Sequence, residues 1–354
     1  MPGKILILLS VVLSISAGGC TKDSYDNTKD VTSEQPIRAN IILDTDIGND
    51  IDDAEALCLL NRYSDLGMVN FLGVCLNKEG EKTAKFVDVI NTFYGHADVI
   101  PVGRARNNGP DGNNPEKNYA ALTVKRVAKD GTPLFKTTGI GYDGLPDAHI
   151  LYRKLLADSE DNSVSIVSVG FLTNLIRLLD TPADDISPLT GRELIEKKVK
   201  LLSIMACRFN NEVPEYNVML NIPYAIKLFS EWPGEIVCSP MEVGAAVRYP
   251  FESIENDFEW AGFHPLKEAY LVWCNNKNSD NRMFDPTAVL FAVEGDSMCT
   301  LTEPGTITID EEGVSRFIAN PVGKHRYFTV DEVQAKAMVA YFKKHLTAKP
   351  ACWK

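Results

Sequence analysis

Short apolar runs alternate with segments of helical periodicity along the chain from Ile41 onward. The apolar runs predict strands at residues 41–43, 69–76, 99–102, 164–169, 201–205 and 236–238. Apolar positions at helical spacing predict helices at residues 82–94, 148–157, 173–179, 223–229, 286–293 and 330–345. Two late runs, 306–309 and 315–318, flank Asp310-Glu311-Glu312-Gly313 and predict a hairpin. This alternation predicts an α/β architecture with a single open, mostly parallel but mixed sheet flanked by helices.

The amino terminus has the pattern of a targeting segment. Lys4 precedes an apolar stretch, residues 5–15, that is too short to span a bilayer as a stable helix. The small residues Ala17-Gly18-Gly19 then precede Cys20. Residues 1–20 therefore resemble a bacterial lipoprotein signal peptide, with Cys20 lipidated after cleavage. The alternative is an ordinary secretory signal cut nearby.

The next segment is polar and charged without an apolar period. Residues 21–38 predict a flexible tether, and residues 39–348 predict the folded domain. The expected location is the bacterial cell envelope, with the membrane contacted only through the lipid on Cys20. The sequence leaves open whether the domain forms a homo-oligomer.

Composition limits the choice of ligand. The chain has 354 residues, 45% of them hydrophobic, and a formal net charge of -12. That length allows one large α/β domain with a full core. The acidic balance argues against binding nucleic acid through its phosphates, but a small neutral molecule remains compatible with it.

Five aspartates follow the first predicted strand within a single turn: Asp44, Asp46, Asp50, Asp52 and Asp53. A helix-forming segment, Ala54-Glu55-Ala56-Leu57, comes directly after them. Clustered carboxylates repel one another, and burying them unpaired is costly, so a bound cation is the simplest compensation. An all-oxygen set suits Ca²⁺ or Mg²⁺, whereas Zn²⁺ would bring His or Cys. The alternative is a solvated turn whose aspartates cap the next helix.

Two other acidic motifs partly match this stretch. An EF-hand loop starting at Asp44 would place Glu55 at its last ligand position, but Gly48 and Asn49 do not fit the pattern, and a strand stands where a helix should. The EF-hand is rejected. An apolar run ending in Asp44-Thr45-Asp46 also resembles the nucleophile loop of haloacid-dehalogenase-type phosphatases, although Ile47-Gly48-Asn49 departs from it. That family remains the runner-up.

The stretch most closely resembles the inosine-uridine-type nucleoside hydrolases, whose signature is Asp-x-Asp-Pro-Gly-x-Asp-Asp-Ala. Here the segment from Asp44 to Ala54 reads DTDIGNDIDDA. It lacks the proline and is two residues longer after Gly48. The resemblance implies a Rossmann-like sheet with the nucleoside hydrolase fold. The insertion leaves open how Asp50, Asp52 and Asp53 divide their roles.

Two further segments match the same family. Gly170-Phe171-Leu172-Thr173-Asn174-Leu175 departs from the family's Gly-Pro-Leu-Thr-Asn-Leu only at Phe171, and the match implies that the Val169 carbonyl is a cation ligand. Glu215-Tyr216-Asn217 resembles the family's Glu-Phe-Asn. That match implies that Glu215 and Asn217 hold ribose hydroxyls. An exposed polar loop is the alternative for the second segment.

Asparagines near two strand ends complete the expected sugar site. The resemblance implies that Asn77 faces the ribose, although a turn residue is the plainer interpretation. It also implies a ribose contact from Asn210, which the sequence does not separate from Asn211. Arg208 breaks the pattern of small residues expected just before them.

Phe284-Asp285-Pro286 is the last match. The pair Asp-Pro alone predicts a helix cap and first turn. In the family the corresponding Asp ligates Ca²⁺ and contacts the sugar, and many members carry His where this chain has Phe284. Either stacking assists the leaving base, with Tyr142, Trp260 or Trp273 as candidates, or the substrate has a better leaving group. His325 and His345 are possible acids but are expected to be ordinary surface residues.

The resemblance implies Ca²⁺-dependent hydrolysis of the N-glycosidic bond of a ribonucleoside or related N-riboside. Asp46 is the implied general base and a ligand, with Asp53, the Val169 carbonyl and Asp285 completing the metal ligands. Asp52 would bind a ribose hydroxyl, and Asp50 is left open for either role. The competing functions are a phosphatase that uses Asp44 as nucleophile, and a non-catalytic lipoprotein that binds ribose or a nucleoside.

Overall fold

The computed structural model describes residues 39–106 and 118–353. The predicted signal peptide, residues 1–20, and the predicted tether, residues 21–38, lie outside the described residues. Within the described residues, no helix combines the length and apolarity needed to cross a bilayer.

Twelve strands occur in the described residues. In chain order they are β1 (Ala39–Thr45), β2 (Val69–Leu76), β3 (Val102–Gly103), β4 (Val164–Ser168), β5 (Val199–Met205), β6 (Ile236–Ser239), β7 (Arg248–Tyr249), β8 (Asn281–Arg282), β9 (Thr300–Leu301), β10 (Gly305–Ile309), β11 (Ser315–Ala319) and β12 (His325–Thr329).

The same described ranges contain thirteen α-helices, which connect and cover these strands. They are α1 (Asp52–Asp65), α2 (Glu81–Tyr94), α3 (Tyr119–Val124), α4 (Ala148–Asp158), α5 (Thr173–Leu179), α6 (Gly191–Lys198), α7 (Tyr216–Met219), α8 (Ile222–Glu231), α9 (Met241–Ala246), α10 (Phe251–Asn256), α11 (Pro265–Trp273), α12 (Phe284–Glu294) and α13 (Glu332–Leu346).

The main sheet has the strand order β11-β10-β12-β6-β5-β4-β1-β2-β3, with β9 pairing to β12. The pairs from β3 to β12 along this order are parallel, whereas β9, β10 and β11 add antiparallel edges. A separate two-stranded ribbon pairs β7 with β8. The prediction of one mostly parallel, mixed sheet flanked by helices is confirmed.

Strand β1 is a continuous apolar run because its side chains are buried on both faces of the sheet. Ile41 and Leu43 pack into one core cluster, and Ile42 packs into the other. A strand covered by helices on both faces has no polar face. Strand β1 therefore lies at the centre of the domain, with β2 on one side and β4 on the other.

Two local predictions need correction. The strand predicted at residues 99–102 is only β3, because Val99 is 72% exposed before the chain enters the sheet. The two histidines expected at the surface are buried: His325 accepts a hydrogen bond from the Ile307 backbone N–H, and His345 packs against the ring of Tyr63. The predicted hairpin, by contrast, is present as β10 and β11.

Candidate active site

A cavity of about 470 Å³ opens at the carboxyl ends of the parallel strands. It lies beside β1, where the chain order of the sheet reverses, and open α/β sheets bind ligands at such a switch point. The residues that line it are Asp46, Asn49, Asp50, Asp52, Asp53, Val169, Met205, Arg208, Glu215, Tyr216, Asn217, Met241, Trp273, Arg282, Phe284 and Asp285.

Asp44, the penultimate residue of β1, is held in a hydrogen-bond network behind this cavity. Its carboxylate accepts hydrogen bonds from Asn77 Nδ2 at 2.5 Å, Tyr152 Oη at 3.0 Å and Asn174 Nδ2 at 3.1 Å. Burial raises the pKa of Asp44 to about 7, although these hydrogen bonds oppose the rise. Because both oxygens are engaged and the residue does not line the cavity, Asp44 is poorly placed to act as a nucleophile.

The loop from Asp46 to Ile51 carries the next carboxylates into the cavity. Asp46 Oδ2 accepts a hydrogen bond from Asn49 Nδ2 at 2.5 Å, and Asn49 Oδ1 in turn accepts one from the buried Lys78 ammonium. Burial raises the pKa of Asp46 to about 6, while the positive charge of Lys78 and the Asn49 hydrogen bond act in the opposite direction. The inserted loop therefore supplies Asp46 with its own positioning network.

Asp52, Asp53 and Asp285 form a buried cluster that can hold a metal ion. Each offers a carboxylate oxygen, and these oxygens lie within 4.8 Å of one another. Asp52 Oδ2 also accepts the backbone N–H of Asp285 at 3.1 Å, and Thr45 Oγ1 donates to Asp53. Burial raises the pKa of all three carboxyls well above the usual range, and repulsion from neighbouring aspartates raises it further.

The way α1 begins explains how two of these carboxylates reach the cluster. The N-cap residue is Ile51, whose side chain offers no cap, and Asp52 and Asp53 lie in the first turn. Negative side chains are favourable there because they face the positive end of the helix dipole. The aspartates are buried rather than solvated, so the interpretation as an exposed, capping turn is wrong.

A further part of the cavity lining consists of Val169, Glu215 and Asn217. Glu215 caps α7 by accepting the Val218 backbone N–H at 3.2 Å, and burial raises its pKa to about 7. Asn217 Nδ2 donates to the carbonyl of Met205 at 3.1 Å and to that of Val169 at 3.4 Å. The alternative of an exposed polar loop is wrong for Glu215 and Asn217, which are buried.

An apolar wall closes one side of the cavity. It consists of Met241, Trp273 and Phe284, which are partly buried and pack against the core. Of the stacking candidates, only Trp273 reaches this cavity; its side chain also hydrogen bonds to Asp50. Tyr142 lies beside Arg104 at a different cavity, and Trp260 packs against Phe93, so both are elsewhere.

Most of the expected site residues meet in this cavity, and two do not. Asn77 is buried and does not line the cavity; its side chain donates a hydrogen bond to Asp44 instead. Asn210 is exposed and does not line the cavity. The loop after β5 is exposed to solvent at residues 210–213, and the chain is buried again at Glu215. The family resemblance implied Asp46 as a metal ligand together with Asp53 and Asp285. In the structure Asp46 lines the same cavity, but the carboxylate grouped with Asp53 and Asp285 is that of Asp52.

Sequence reasoning missed several lining or supporting residues. Asn49 and Lys78 form the network around Asp46, and Met241 and Arg282 line the cavity. Two signals were visible: Asn49 lies in the two-residue insertion, and Lys78 lies two residues after β2, a strand that ends at the same sheet edge as β1. Met241 and Arg282 carried no comparable signal.

The fold and this cavity define an α/β protein with an acidic, ligand-sized site at the switch point of its sheet. The sequence profile of the inosine-uridine preferring nucleoside hydrolases matches residues 41–341, and the chain belongs to that family. This confirms the predicted family and the enzyme class. The family is metal-dependent, and the buried aspartate cluster can bind a metal ion. No curated protein matches the chain.

Solved structures share the fold at low sequence identity. A purine-preferring ribonucleoside hydrolase from Gardnerella vaginalis has 14% identity and a TM-score of 0.66, covering 87% of this chain and 98% of that one. An inosine-uridine preferring nucleoside hydrolase from Bacillus anthracis has 16% identity and a TM-score of 0.62, covering 87% and 99%. The type III effector protein XopQ, solved with adenosine diphosphate ribose, has 14% identity and a TM-score of 0.59, covering 89% and 96%.

Proposed function

We propose that this protein hydrolyses the N-glycosidic bond of ribonucleosides or related N-ribosides in a Ca²⁺-dependent reaction, releasing ribose and base. The observation that carries the proposal is the meeting of Asp46, Glu215 and the cluster of Asp52, Asp53 and Asp285 in one cavity. Family membership supports N-glycosidic hydrolysis of nucleosides.

The chemistry of the aspartate cluster supports a hard divalent cation. Three buried carboxylates with mutually raised pKa values repel one another, and a cation among their oxygens would allow all of them to ionise. The donor set contains only oxygen, without His or Cys, which favours Ca²⁺ over Zn²⁺. When bound, such an ion orients the attacking water and lowers its pKa. The Val169 carbonyl and Asp46 are the further ligands in this proposal.

The remaining residues would act on the proton and the sugar. Asp46 accepts the proton of the attacking water, with Asn49 holding one of its oxygens. Asp52, Glu215 and Asn217 bind ribose hydroxyls. Positive charge develops on the sugar ring in the oxocarbenium-like transition state, and the acidic lining stabilises it.

Departure of the base relies on the apolar wall in this proposal. With Phe284 at the position where many family members carry His, the wall offers stacking rather than a proton. Trp273 is the aromatic side chain beside the cavity, and stacking there would orient the base. His325 and His345 are buried within other parts of the fold and take no part.

The two competing functions make different predictions. A phosphatase would need an accessible Asp44, whose carboxylate is instead enclosed by Asn77, Tyr152 and Asn174. A non-catalytic binding protein would hold a nucleoside without releasing ribose. Only turnover separates the binding protein from the hydrolase.

The test is an assay of free ribose. The purified protein is incubated with inosine, guanosine, adenosine, uridine and cytidine, before and after chelator treatment and again after Ca²⁺ is restored. We expect ribose from at least one nucleoside, loss of release with chelator, and recovery with Ca²⁺. Asp53→Asn should abolish release, whereas Asp161→Asn, at a carboxylate 61% exposed on the surface, should not. No ribose from any nucleoside would contradict the proposal.

We further propose that the chain is exported and anchored to the bacterial envelope by a lipid on Cys20. The support is the Ala17-Gly18-Gly19-Cys20 sequence after an apolar segment. Labelling of the expressed protein with a radioactive fatty acid should mark the wild type and not Cys20→Ser. Equal labelling of both would overturn the assignment.

A further inference from the structure

Two arginine side chains line a cavity otherwise dominated by carboxylates. Arg208 follows β5, and Arg282 lies on β8. Within the described residues, neither guanidinium forms a salt bridge. Arginines elsewhere in the fold do pair with carboxylates, as Arg104, Arg106, Arg126, Arg153, Arg192, Arg316 and Arg326 show.

The environment of Arg208 leaves its guanidinium short of oxygen acceptors. Its Nε atom is buried and has no hydrogen-bond partner among the described residues, and Nη2 donates to the sulfur of Met241 at 2.6 Å. A thioether is a weak acceptor. Glu242, which follows Met241 in the sequence, accepts the backbone N–H of Phe209 through Oε1, and its buried Oε2 forms no hydrogen bond with Arg208 or with any other described residue. A buried N–H without an acceptor costs free energy unless a ligand supplies one.

Arg282 lines the same cavity from the short strand β8. It lies two residues before Phe284, and its positive charge lowers the pKa of Asp50. Its backbone pairs in antiparallel register with that of Arg248. Both arginines are exposed to solvent, but only Arg282 lines the cavity. One arginine of this pair therefore faces the cavity and the other does not.

Both arginines border the apolar wall. Arg208 contacts Met241, and Arg282 lines the same cavity as Phe284, so both positive charges belong to the cavity in which a base would stack. An oxyanion carried by the substrate would meet guanidinium groups there, and Arg is well suited to bind phosphate or carboxylate through paired hydrogen bonds. Without the two arginines, the carboxylates of the lining would repel such a group.

We propose that the cavity takes an N-riboside that carries an oxyanion, a phosphate or a carboxylate, and that Arg208 and Arg282 bind this group. The inference rests on the proposed function for the identity of the sugar, and it specifies the substrate class further. The arginines act as specificity-determining residues, since they touch a substituent rather than the bond that breaks.

Binding by the full chain in detergent tests the proposal and locates the oxyanion. Calorimetric titration compares two matched pairs: inosine with inosine 5′-monophosphate, and uridine with orotidine, which adds a carboxylate to the base. We expect at least one charged ligand to bind about tenfold or more tightly than its neutral partner. A gain only for the monophosphate assigns the group to the ribose, and a gain only for orotidine assigns it to the base. If neither charged ligand binds more tightly, the proposal fails.

Substitutions of the two arginines test whether they cause the tighter binding of the charged ligand. Arg208→Met and Arg282→Met should each reduce the charged-to-neutral affinity ratio by about tenfold. Arg208→Lys, which keeps the charge but loses the planar fork, should give an intermediate ratio. Arg248→Met is the matched control and should keep the wild-type ratio. A gain that survives both methionine substitutions would overturn the role of the arginines.

The outcome is separable from that of the proposed hydrolysis. Arginine-dependent binding without any release of sugar would support the recognition of the oxyanion and contradict the hydrolase function. Hydrolysis of neutral nucleosides, with no tighter binding of either charged ligand, would support the hydrolase function and contradict the recognition of the oxyanion.

Discussion

Gly170 lies directly against Asp46. A Cβ atom built on Gly170 would stand 2.6 Å from both the backbone nitrogen and Oδ1 of Asp46, and 2.9 Å from Asn77 Nδ2. No side chain fits in this space, because the chain leaving β4 passes against the loop that follows β1. The glycine of the second family motif is therefore required by the close approach of two strand ends.

Gly170→Ala should displace the proposed general base. A shift of Asp46 of about 1 Å can lower kcat/KM by about a hundredfold. Nucleoside hydrolysis and thermal unfolding are measured together, to separate displacement from loss of the fold. Gly141→Ala is the control, because a Cβ there meets nothing within 4 Å and the backbone φ of -72° suits any residue. Wild-type activity in Gly170→Ala would contradict this account of the site.

Asp285→Asn should have opposite effects on stability with and without a cation. Without Ca²⁺, the substitution removes one of three repelling buried carboxylates and should raise the melting temperature. The wild type should gain about 2.7 kcal/mol when Ca²⁺ reaches about one hundred times its dissociation constant, and the variant should lose most of that gain. Calcium titrations followed by thermal unfolding measure both effects. A variant that Ca²⁺ stabilises as much as the wild type would remove Asp285 from the ligand set.

The dependence of kcat/KM on pH should show an acidic limb. Burial raises the pKa of Asp46 to about 6 and that of Glu215 to about 7, so both carboxyls become protonated as the pH falls through this range. A protonated Glu215 loses the negative charge that faces the sugar, and a protonated Asp46 cannot accept the proton of water, so kcat/KM should begin to fall near pH 7 and fall further through about pH 6. Glu215→Gln should move the midpoint of the limb toward about 6, with a lower plateau, as measured from about pH 5 to about pH 9. An unchanged midpoint would exclude Glu215 from the limb.

Trp273→Leu should weaken base stacking. Loss of the aromatic face should reduce kcat/KM by about tenfold, in line with about 0.5 to 1.5 kcal/mol for aromatic contacts. The effect should be greater for purine than for pyrimidine nucleosides, since a purine presents the larger face. Trp260→Leu, in the cluster with Phe93 and Trp353, is the control and should change stability but not this ratio. Equal losses for both bases would argue against stacking at Trp273.

The sequence predicts those parts of the fold and site that depend on residues close together in the chain. The apolar run of β1 follows from burial on both faces of the sheet, and the aspartates after it follow from the geometry of a strand end. The six helices predicted from apolar spacing begin and end within a few residues of their predicted bounds, whereas α3, α6, α9, α10 and α11 were not predicted. Val169 and Glu215 could be located because each lies in a short motif beside a strand or helix end.

The remaining residues depend on contacts between distant segments. Asn49 reaches Asp46 only because the inserted loop folds back, and Lys78 joins them from the next strand. Arg208 was visible only as a break in a pattern, since its contact with Met241 requires β5 and α9 to meet. Asn210 was misplaced because the path of an irregular loop has no periodic signal. Exposure cannot be inferred from residue type alone at such positions.

The hydrogen bond from the Asp285 backbone to Asp52 joins positions 233 residues apart. While a nascent chain still lacks α12, the first acidic loop has neither its third carboxylate nor this backbone donor. An amino-terminal fragment that ends before Phe284 therefore has only two of the three carboxylates that can hold a metal ion. The acidic cluster is completed late in synthesis, once the segment that forms α12 has left the ribosome.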